Sequence, residues 1–369
     1  MRRVVVKLGS SVVASSDGAP RAEVLARVCD QLAALHREGV EVIVVTSGAI
    51  AHGMRVMGLP QRPTTVGALQ AASAVGQGKL YRVYDELLRE REVTSAQVLL
   101  TFFDMSARTH YLNARKTLST LLEWRVMPVI NENDTTATDE ISFGDNDFLA
   151  AQVAVLIAAE ELILLTDIDG LYTADPRLYP EAHIVSEVSD FSALENLAIG
   201  HTTSPLGSGG MRSKVVAAEM ATAAGIPTTI CNGLRAEALA AVLAGEREGT
   251  RFAAGEARYS SFKLWLKYAK PSRGTLVIDQ GAARAVREGA ASLLPVGVID
   301  VKGDFDAGDA VDIVELPGAA AHGRTLAKGI CSYTAEELRQ VMGLKSDAIR
   351  EILPRATDEA VHRDYLVVD

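Results

Sequence analysis

The chain has 369 residues, of which 48% are hydrophobic and 23% are charged, and its formal net charge at pH 7 is −10. This length predicts two domains, and the acidic balance argues against general affinity for nucleic acids or anionic membranes. The longest uncharged apolar stretch, residues 148–159, is too short to span a bilayer, and three scattered cysteines without metal-ligand spacing indicate a reducing cytoplasm.

The first two thirds of the chain alternate predicted strands with predicted helices, read from the spacing of apolar residues. Such alternation predicts an α/β fold, with a mainly parallel sheet sandwiched by helices. The predicted strands cover residues 3–8, 40–45, 98–101, 126–130, 161–165 and 227–230. The predicted helices cover residues 20–38, 64–90, 109–124, 212–224 and 234–244.

The pattern changes after about residue 255, where short β-like runs separated by glycine turns begin. They predict a small, mostly-β C-terminal domain with one late helix over residues 335–353. We place the two domains at residues 1–258 and 270–369. The predicted strands of the second domain cover residues 275–278, 298–301, 310–314 and 327–332.

A polar connection over residues 128–151 stands out from the apolar segments around it. It places Asn131 and Asp134 just after a predicted strand, and Asn146 and Asp147 at the start of a helical segment. This geometry puts carboxylates and amides at the carboxyl edge of a parallel sheet, where α/β proteins bind ligands. One Asp or Asn there would be an ordinary helix cap, but several in one connection favour a binding site.

Two lysines accompany turns that are rich in glycine. Lys7 ends the first strand before a Gly-Ser-Ser turn, and Lys214 closes the segment GSGGMRSK over residues 207–214, which enters a helix. Backbone N–H groups of such turns, together with a helix N-terminus, can bind a phosphate. The segment matches neither a P-loop nor a dinucleotide fingerprint. Taken alone, it fits a flexible linker equally well, and Lys7 taken alone fits a surface residue.

Taken together and in order, these motifs resemble the glutamate 5-kinases, a group within the amino acid kinase family. The matching segments are VVVKLGSSV, VTSGAIAHG, LNAR, VINEND, FGDND, ILLTD, DGLYTADPR and GSGGMRSK. Ser208 and Ser213 stand where the family usually has Thr, and both keep the hydroxyl group. The C-terminal segments GTLVIDQGA, ASLLPVGV and GDFDAGD resemble a PUA domain.

The resemblance implies transfer of the γ-phosphoryl group of ATP to the side-chain carboxylate of L-glutamate, the first step of proline synthesis. It implies Mg²⁺ carried by ATP with no protein ligand assigned, a cytoplasmic homo-oligomer (dimer or tetramer), and inhibition by proline. The implied substrate contacts are Ser47, Asp134 and Asn146, with Asn131 and Asp147 nearby. The implied ATP contacts are Lys7, Thr166, Asp167, Ser208, Gly209, Gly210, Met211, Arg212, Ser213 and Lys214.

The chemistry of the residues agrees with this implication. A glutamate carboxylate is ionised at neutral pH, since its reference pKa is about 4.3, so no general base is required. Phosphoryl transfer then depends on positioning and on neutralising charge. We expect Lys7 and Lys214 to approach the transferred group from opposite sides. We expect Asp167 to hold both lysines through charge-assisted hydrogen bonds.

Two alternatives stay open at this stage. The first is a related kinase that acts on a different carboxylate, a carbamate or a nucleotide. The second is an RNA-binding protein, because PUA domains often bind RNA. Residues 270–369 carry 12 Lys and Arg residues against 16 Asp and Glu residues, which is not the basic footprint of a phosphate-backbone binder. We therefore favour a structural or regulatory role for the PUA-like domain.

Overall fold

The chain divides into two compact units, Met1–Ser261 and Phe262–Asp369, in a computed structural model. In the part of the chain that the structure describes, no helix combines the length and the apolar character needed to cross a bilayer. The described residues are 2–15, 17–101, 104, 108–136, 146–194, 210–255, 261–264, 266–267, 270, 272–288, 291–315, 325–353 and 357–368.

The first unit contains one sheet of eight described strands. The strands are β1 (Arg3–Leu8), β2 (Glu41–Val45), β3 (Ser95–Leu100), β4 (Met127–Glu132), β5 (Glu161–Thr166), β6 (Glu187–Val188), β7 (Thr228–Asn232) and β8 (Thr250–Phe252). Their order is β3-β4-β2-β1-β5-β7-β8-β6. Every neighbouring pair is parallel except β7 and β8, which are antiparallel.

Helices cover this sheet, and their bounds lie within a few residues of most predicted ones. The described helices of the first unit are α1 (Ser10–Val13), α2 (Ala22–Arg37), α3 (Ala49–Val56), α4 (Val66–Arg89), α5 (Arg108–Glu123), α6 (Asn146–Leu156), α7 (Met211–Ala223) and α8 (Ala238–Leu243). The sequence did not predict α3. It begins after Gly48, whose φ of 102° is a left-handed conformation that favours glycine.

The core explains why the central strands are continuous apolar runs. All residues of β2 and all but the first residue of β1 are buried, because parallel strands are covered by helices on both faces. Apolar side chains of α2, α4 and α8 join one hydrophobic cluster with side chains of these strands. Helix α6 contacts β1 and α7. The predicted α/β fold with a mainly parallel sheet is confirmed.

The second unit contains a separate sheet of five described strands in the order β10-β9-β11-β12-β13. Only β9 and β11 pair in parallel, so this sheet is mostly antiparallel, and the predicted mostly-β domain is confirmed. The strands are β9 (Ser272–Ile278), β10 (Val298–Gly303), β11 (Ala310–Glu315), β12 (Thr325–Cys331) and β13 (Val361–Val368). The described helices from residue 261 onward are α9 (Ser261–Leu264), α10 (Gln280–Arg287), α11 (Ala335–Val341) and α12 (Ser346–Ile352).

The prediction of one helix over residues 335–353 is wrong, because two helices, α11 and α12, occupy this range. Helix α11 begins with a capping box, in which the Thr334 side chain and that of Glu337 each accept a bond from the other residue's backbone N–H group. It ends before Gly343, whose φ of 77° is left-handed and stops a right-handed helix.

Candidate active site

The carboxyl ends of four adjacent strands, β4, β2, β1 and β5, lie along one edge of the first sheet. Because these strands are parallel, the residues at their ends are brought together at that edge. Asn131 lies at the end of β4, Ser47 follows β2, Lys7 lies near the end of β1, and Thr166 ends β5. All four are buried, although each carries a polar side chain.

Two helices that begin beside this edge add the remaining chemistry. Asn146 and Asp147 are the first two residues of α6, and Lys214 lies in the first turn of α7. Both helices are mostly apolar beyond their first turns, and they pack against each other. This packing brings Asp147 and Lys214, which are distant in sequence, within hydrogen-bonding distance of each other.

The central feature of the site is an Asp147 carboxylate shared by two lysines. The Lys7 ammonium group donates to Oδ1 at 2.6 Å, and the Lys214 ammonium group donates to Oδ2 at 3.0 Å. The Asp147 side chain is 0% exposed. Burial would raise the pKa of Asp147, but the charges of Lys214 and Lys7 outweigh burial and hold that pKa well below its usual range. Asp147 is therefore ionised at neutral pH.

The expectation that Asp167 holds the two lysines is wrong. Asp167 is exposed and accepts a hydrogen bond from the Thr166 hydroxyl at 3.3 Å, and no ion pair joins it to Lys7 or Lys214 among the described residues. The physical reason is packing, since Asp147 enters the buried space between the lysines from the start of α6. Asp167 follows β5 and points toward solvent instead.

A pocket opens beside this cluster. Its lining contains two buried polar atoms, Ser47 Oγ and Asn146 Oδ1, that have no hydrogen-bond partner in the described part of the chain. A buried polar atom without a partner is costly, so both atoms indicate a place where a ligand completes the bonding. The described lining residues are Ser10, Ser47, Gly48, Ala49, Ile50, Ala51, Arg62, Asn131, Asp134 and Asn146.

Asp134 gives the pocket a buried acidic group. Ser73, on the buried face of α4, donates a hydrogen bond of 2.5 Å to Asp134 Oδ2. Burial raises the pKa of Asp134 above its ordinary value, while the Ser73 hydrogen bond and the Arg62 charge oppose that rise. These two neighbours therefore favour the ionised form of Asp134 against the effect of burial.

Helix α4 also supports the amides of the pocket from behind. The Asn131 amide donates to Gln77 Oε1, and the Asn146 amide donates to Asn131 Oδ1 at 2.6 Å and to the backbone carbonyl of Thr46 at 2.5 Å. The Thr46 hydroxyl is in turn hydrogen-bonded to the buried Tyr84 hydroxyl at 2.8 Å. Helix α4 therefore holds the ends of β2 and β4 directly, and it holds the start of α6 through Asn131 and Thr46.

The structure brings together most, though not all, of the residues that the sequence singled out. Met211 and Arg212 begin α7, with Arg212 exposed, and the Ser213 hydroxyl lies 3.2 Å from Asp147 Oδ2. Ser208, Gly209 and the loop over residues 137–143 lie outside the described residues. The residues that sequence reasoning missed are Ser10, Arg62, Ser73, Gln77 and Tyr84.

A signal for some of the missed residues was present in the sequence. Ser73, Gln77 and Tyr84 recur along one face of a predicted helix, and polar groups on a buried face require partners. Ser10 is the middle residue of the Gly-Ser-Ser turn after Lys7. Arg62 lies in a connection without a strand or helix pattern, so no local sequence feature indicated that it is a site residue.

No three acidic, His or Cys side chains are grouped so as to hold a metal ion in the described residues. The Asp147 carboxylate already accepts bonds from two ammonium groups.

Comparison with known proteins gives matches over the whole chain. The profile of the amino acid kinase family matches residues 2–232, and the profile of the PUA domain matches residues 274–353. The glutamate 5-kinase of Meiothermus ruber is 45% identical over 368 residues, covering 100% of this chain and 96% of the relative. The glutamate 5-kinase of Synechococcus sp. (strain JA-3-3Ab) is 45% identical over 367 residues, covering 99% of this chain and 98% of the relative.

Among solved structures, the UMP kinase from Bacillus anthracis overlaps 69% of this chain and 96% of its own, with a TM-score of 0.49 and 15% identity. This likeness is too distant to bear on function.

Proposed function

The chain belongs to the amino acid kinase family, and we propose that its site transfers the γ-phosphoryl group of ATP to the side-chain carboxylate of L-glutamate. The products are L-glutamyl 5-phosphate and ADP, and the reaction begins proline synthesis. The observation that carries this proposal is the buried Lys7–Asp147–Lys214 cluster beside a pocket that contains Asp134. Full-length relatives with this activity in their name support it.

The reaction needs no proton transfer. An oxygen of the ionised side-chain carboxylate forms a bond to the γ-phosphorus, and the bond from that phosphorus to the bridging oxygen of the β-phosphate breaks. The electron pair of the broken bond leaves with ADP. The barrier comes from bringing one anion onto another, so catalysis consists of positioning and charge neutralisation.

Lys7 and Lys214 supply that neutralisation. Both ammonium groups are buried and are anchored by the same carboxylate, so their positions are set before substrate binds. A preorganised charge in a site shielded from water stabilises developing negative charge without the cost of reorganisation. Asp147 therefore acts as the positioning residue, and the two lysines act on the transferred group and on the carboxylate that receives it.

The pocket residues bind the amino acid. The unpartnered atoms Ser47 Oγ and Asn146 Oδ1 supply one hydrogen-bond donor and one acceptor. Asp134 suits the α-ammonium group, because an acidic pocket would otherwise repel glutamate. Asn131 holds Asn146 in place through its side-chain oxygen. A zwitterionic amino acid therefore fits this pocket better than a plain dicarboxylate does.

The nucleotide lies on the other side of the lysines in this proposal. Thr166 and Asp167 at the end of β5, and residues 208–214 at the start of α7, contact ATP, whose phosphates face the N-terminus of that helix. Mg²⁺ carried by ATP would supply further neutralisation of the charge on its phosphates.

The decisive experiment measures ATP- and Mg²⁺-dependent formation of hydroxamate from L-glutamate, with L-aspartate and N-acetyl-L-glutamate as matched alternatives. Hydroxylamine traps the acyl phosphate, so the assay detects the product rather than ATP hydrolysis. We expect a signal with glutamate that exceeds both alternatives by at least tenfold. A preference for another carboxylate, or ADP release without hydroxamate, would refute the assignment.

Several properties of the whole protein follow as proposals from the same family membership. The chain forms a homo-oligomer, is inhibited by proline at the glutamate pocket, and works in the cytoplasm, where its three free, buried cysteines stay reduced. Light scattering and proline titration of the assay test the first two. The PUA-like unit has a structural or regulatory role, and a salt-sensitive gel shift of the full chain with RNA would contradict that role.

A further inference from the structure

The pocket beside the lysine cluster contains two opposite charges. Of its described lining residues, Asp134 and Arg62 carry full charges, while the others are Ser, Asn, Gly, Ala or Ile. Arg62 is half-buried and lies in the connection between α3 and α4. The pocket therefore offers one acidic and one basic group to whatever it binds.

The two charges are close enough to influence each other. Asp134 is 5% exposed, and its Oδ2 accepts the hydrogen bond from Ser73 on the buried face of α4. Burial raises the pKa of Asp134, and the Arg62 charge opposes that rise. Burial lowers the pKa of Arg62, and the Asp134 charge opposes that fall. Asp134 is thus held by α4, whereas Arg62 lines the pocket from the connecting segment between α3 and α4.

The proposed substrate presents a matching pair. When the side-chain carboxylate of glutamate lies at the lysines, its α-ammonium and α-carboxylate groups remain for the far part of the pocket. Asp134 accounts for the ammonium group. The α-carboxylate needs a donor, and a planar guanidinium group donates two parallel hydrogen bonds to a carboxylate.

We propose that Arg62 is a specificity-determining residue that binds the α-carboxylate of the amino acid substrate, opposite Asp134. This inference rests on the proposed function, because it assumes that the side-chain carboxylate is the acceptor. It makes recognition depend on a free α-carboxylate, so α-amides of glutamate are discriminated against. The competing site for that carboxylate is the set of backbone N–H groups at the start of α3, which also lines the pocket.

The test compares L-glutamate with L-isoglutamine, its α-amide, which keeps the α-ammonium group and the phosphorylatable carboxylate. ADP release at low substrate concentration gives kcat/KM as a slope for each compound. We expect Arg62→Gln to lower kcat/KM for glutamate by about 10- to 100-fold, the range for loss of a charge-assisted hydrogen bond. We expect the value for isoglutamine to change by less than about threefold, because the amide carries no charge for Arg62 to bind.

Matched controls separate this effect from general damage. Arg55→Gln removes another arginine, which lies near the end of α3 and pairs with Asp17 at 2.7 Å outside the pocket, so both substrates should keep their wild-type values. Arg62→Lys keeps the charge but not the planar fork, and should restore part of the glutamate value.

Three outcomes would contradict the assignment of Arg62 or the proposed function. An unchanged glutamate value in Arg62→Gln overturns the inference and assigns the α-carboxylate to the backbone at α3. An equal fall for both compounds also overturns it, since a purely structural role would produce that result. Wild-type protein that makes no acyl phosphate from glutamate would instead refute the proposed function itself.

Discussion

Replacing Asp147 with Asn tests whether one buried carboxylate organises the catalytic cations. Asn has nearly the same shape, so the change removes the charge and leaves the packing at the start of α6. The two ammonium groups lie 2.6 and 3.0 Å from this carboxylate. At such separations each pair attracts by about 6 kcal/mol at an effective dielectric constant of about 20. Most of this attraction offsets the cost of burying the charges.

The net loss of stability in Asp147→Asn is the cost of leaving the two lysine charges buried without their anion. Removal of one partner from a buried ion pair costs about 3–5 kcal/mol, and we expect Asp147→Asn to lower the free energy of unfolding by that amount. The lysines should also separate, so kcat should fall on the order of 100- to 1,000-fold.

Urea unfolding and the hydroxamate assay measure the two losses of Asp147→Asn. Asp167→Asn is the matched control, because Asp167 is exposed and not paired with either lysine among the described residues. Its stability should not change, and its effect should be confined to the KM for ATP. Wild-type kcat in Asp147→Asn, or a larger stability loss in Asp167→Asn, would refute the reasoning.

The pH dependence of stability gives a second check on Asp147. Its pKa is depressed in the folded protein, so it stabilises the fold fully above the ordinary Asp pKa of about 4. That contribution is lost only as pH falls below this value. The stability difference between wild-type protein and Asp147→Asn should therefore be constant from about pH 6 to 8 and shrink below about pH 4.

The remaining predictions concern the other charges of the site. Lys214→Ala should lower kcat strongly with little change in the KM for glutamate, because its charge acts mainly in the transition state; steady-state kinetics check this, and a normal kcat would remove Lys214 from catalysis. Asp134→Ala should raise the KM for glutamate far more than the KM for ATP, and equal effects would place Asp134 outside the amino acid pocket. Ser73→Ala removes a hydrogen bond that opposes the raised pKa of Asp134, so the acid limb of kcat/KM for glutamate should move to higher pH, whereas Ser73→Thr should keep the wild-type profile.

Local patterns were sufficient to predict most elements of the fold. Helix α2 shows buried apolar residues at helical spacing, and β1 and β2 are short apolar runs of the kind that parallel strands require. Two predictions failed, the missed helix α3 and the single helix over residues 335–353, and both failures have local causes. Helix α3 begins directly after one glycine, Gly48, and contains another, Gly53, and the break between α11 and α12 depends on one left-handed glycine, Gly343.

The site was predicted only in part, because its residues are joined by packing between distant segments. Lys7, Asp134 and Lys214 were found from motifs that surround them. The choice between Asp147 and Asp167 as the partner of the lysines could not be made from sequence, since both follow motifs that end at the same sheet edge. Only the packing of α6 against α7 places Asp147 between the ammonium groups.

The unpartnered atoms of the pocket show why a binding site cannot be predicted from the requirements of a stable fold alone. Ser47 Oγ and Asn146 Oδ1 are buried without a hydrogen bond in the described residues, which costs about 1–3 kcal/mol for each atom. Selection for stability alone would replace them with apolar side chains or supply them with partners. They persist where a ligand completes the bonding, so the free protein carries a cost that binding removes. Glutamate should therefore raise the midpoint of thermal unfolding, and Ser47→Ala should reduce that rise while leaving the free protein at least as stable.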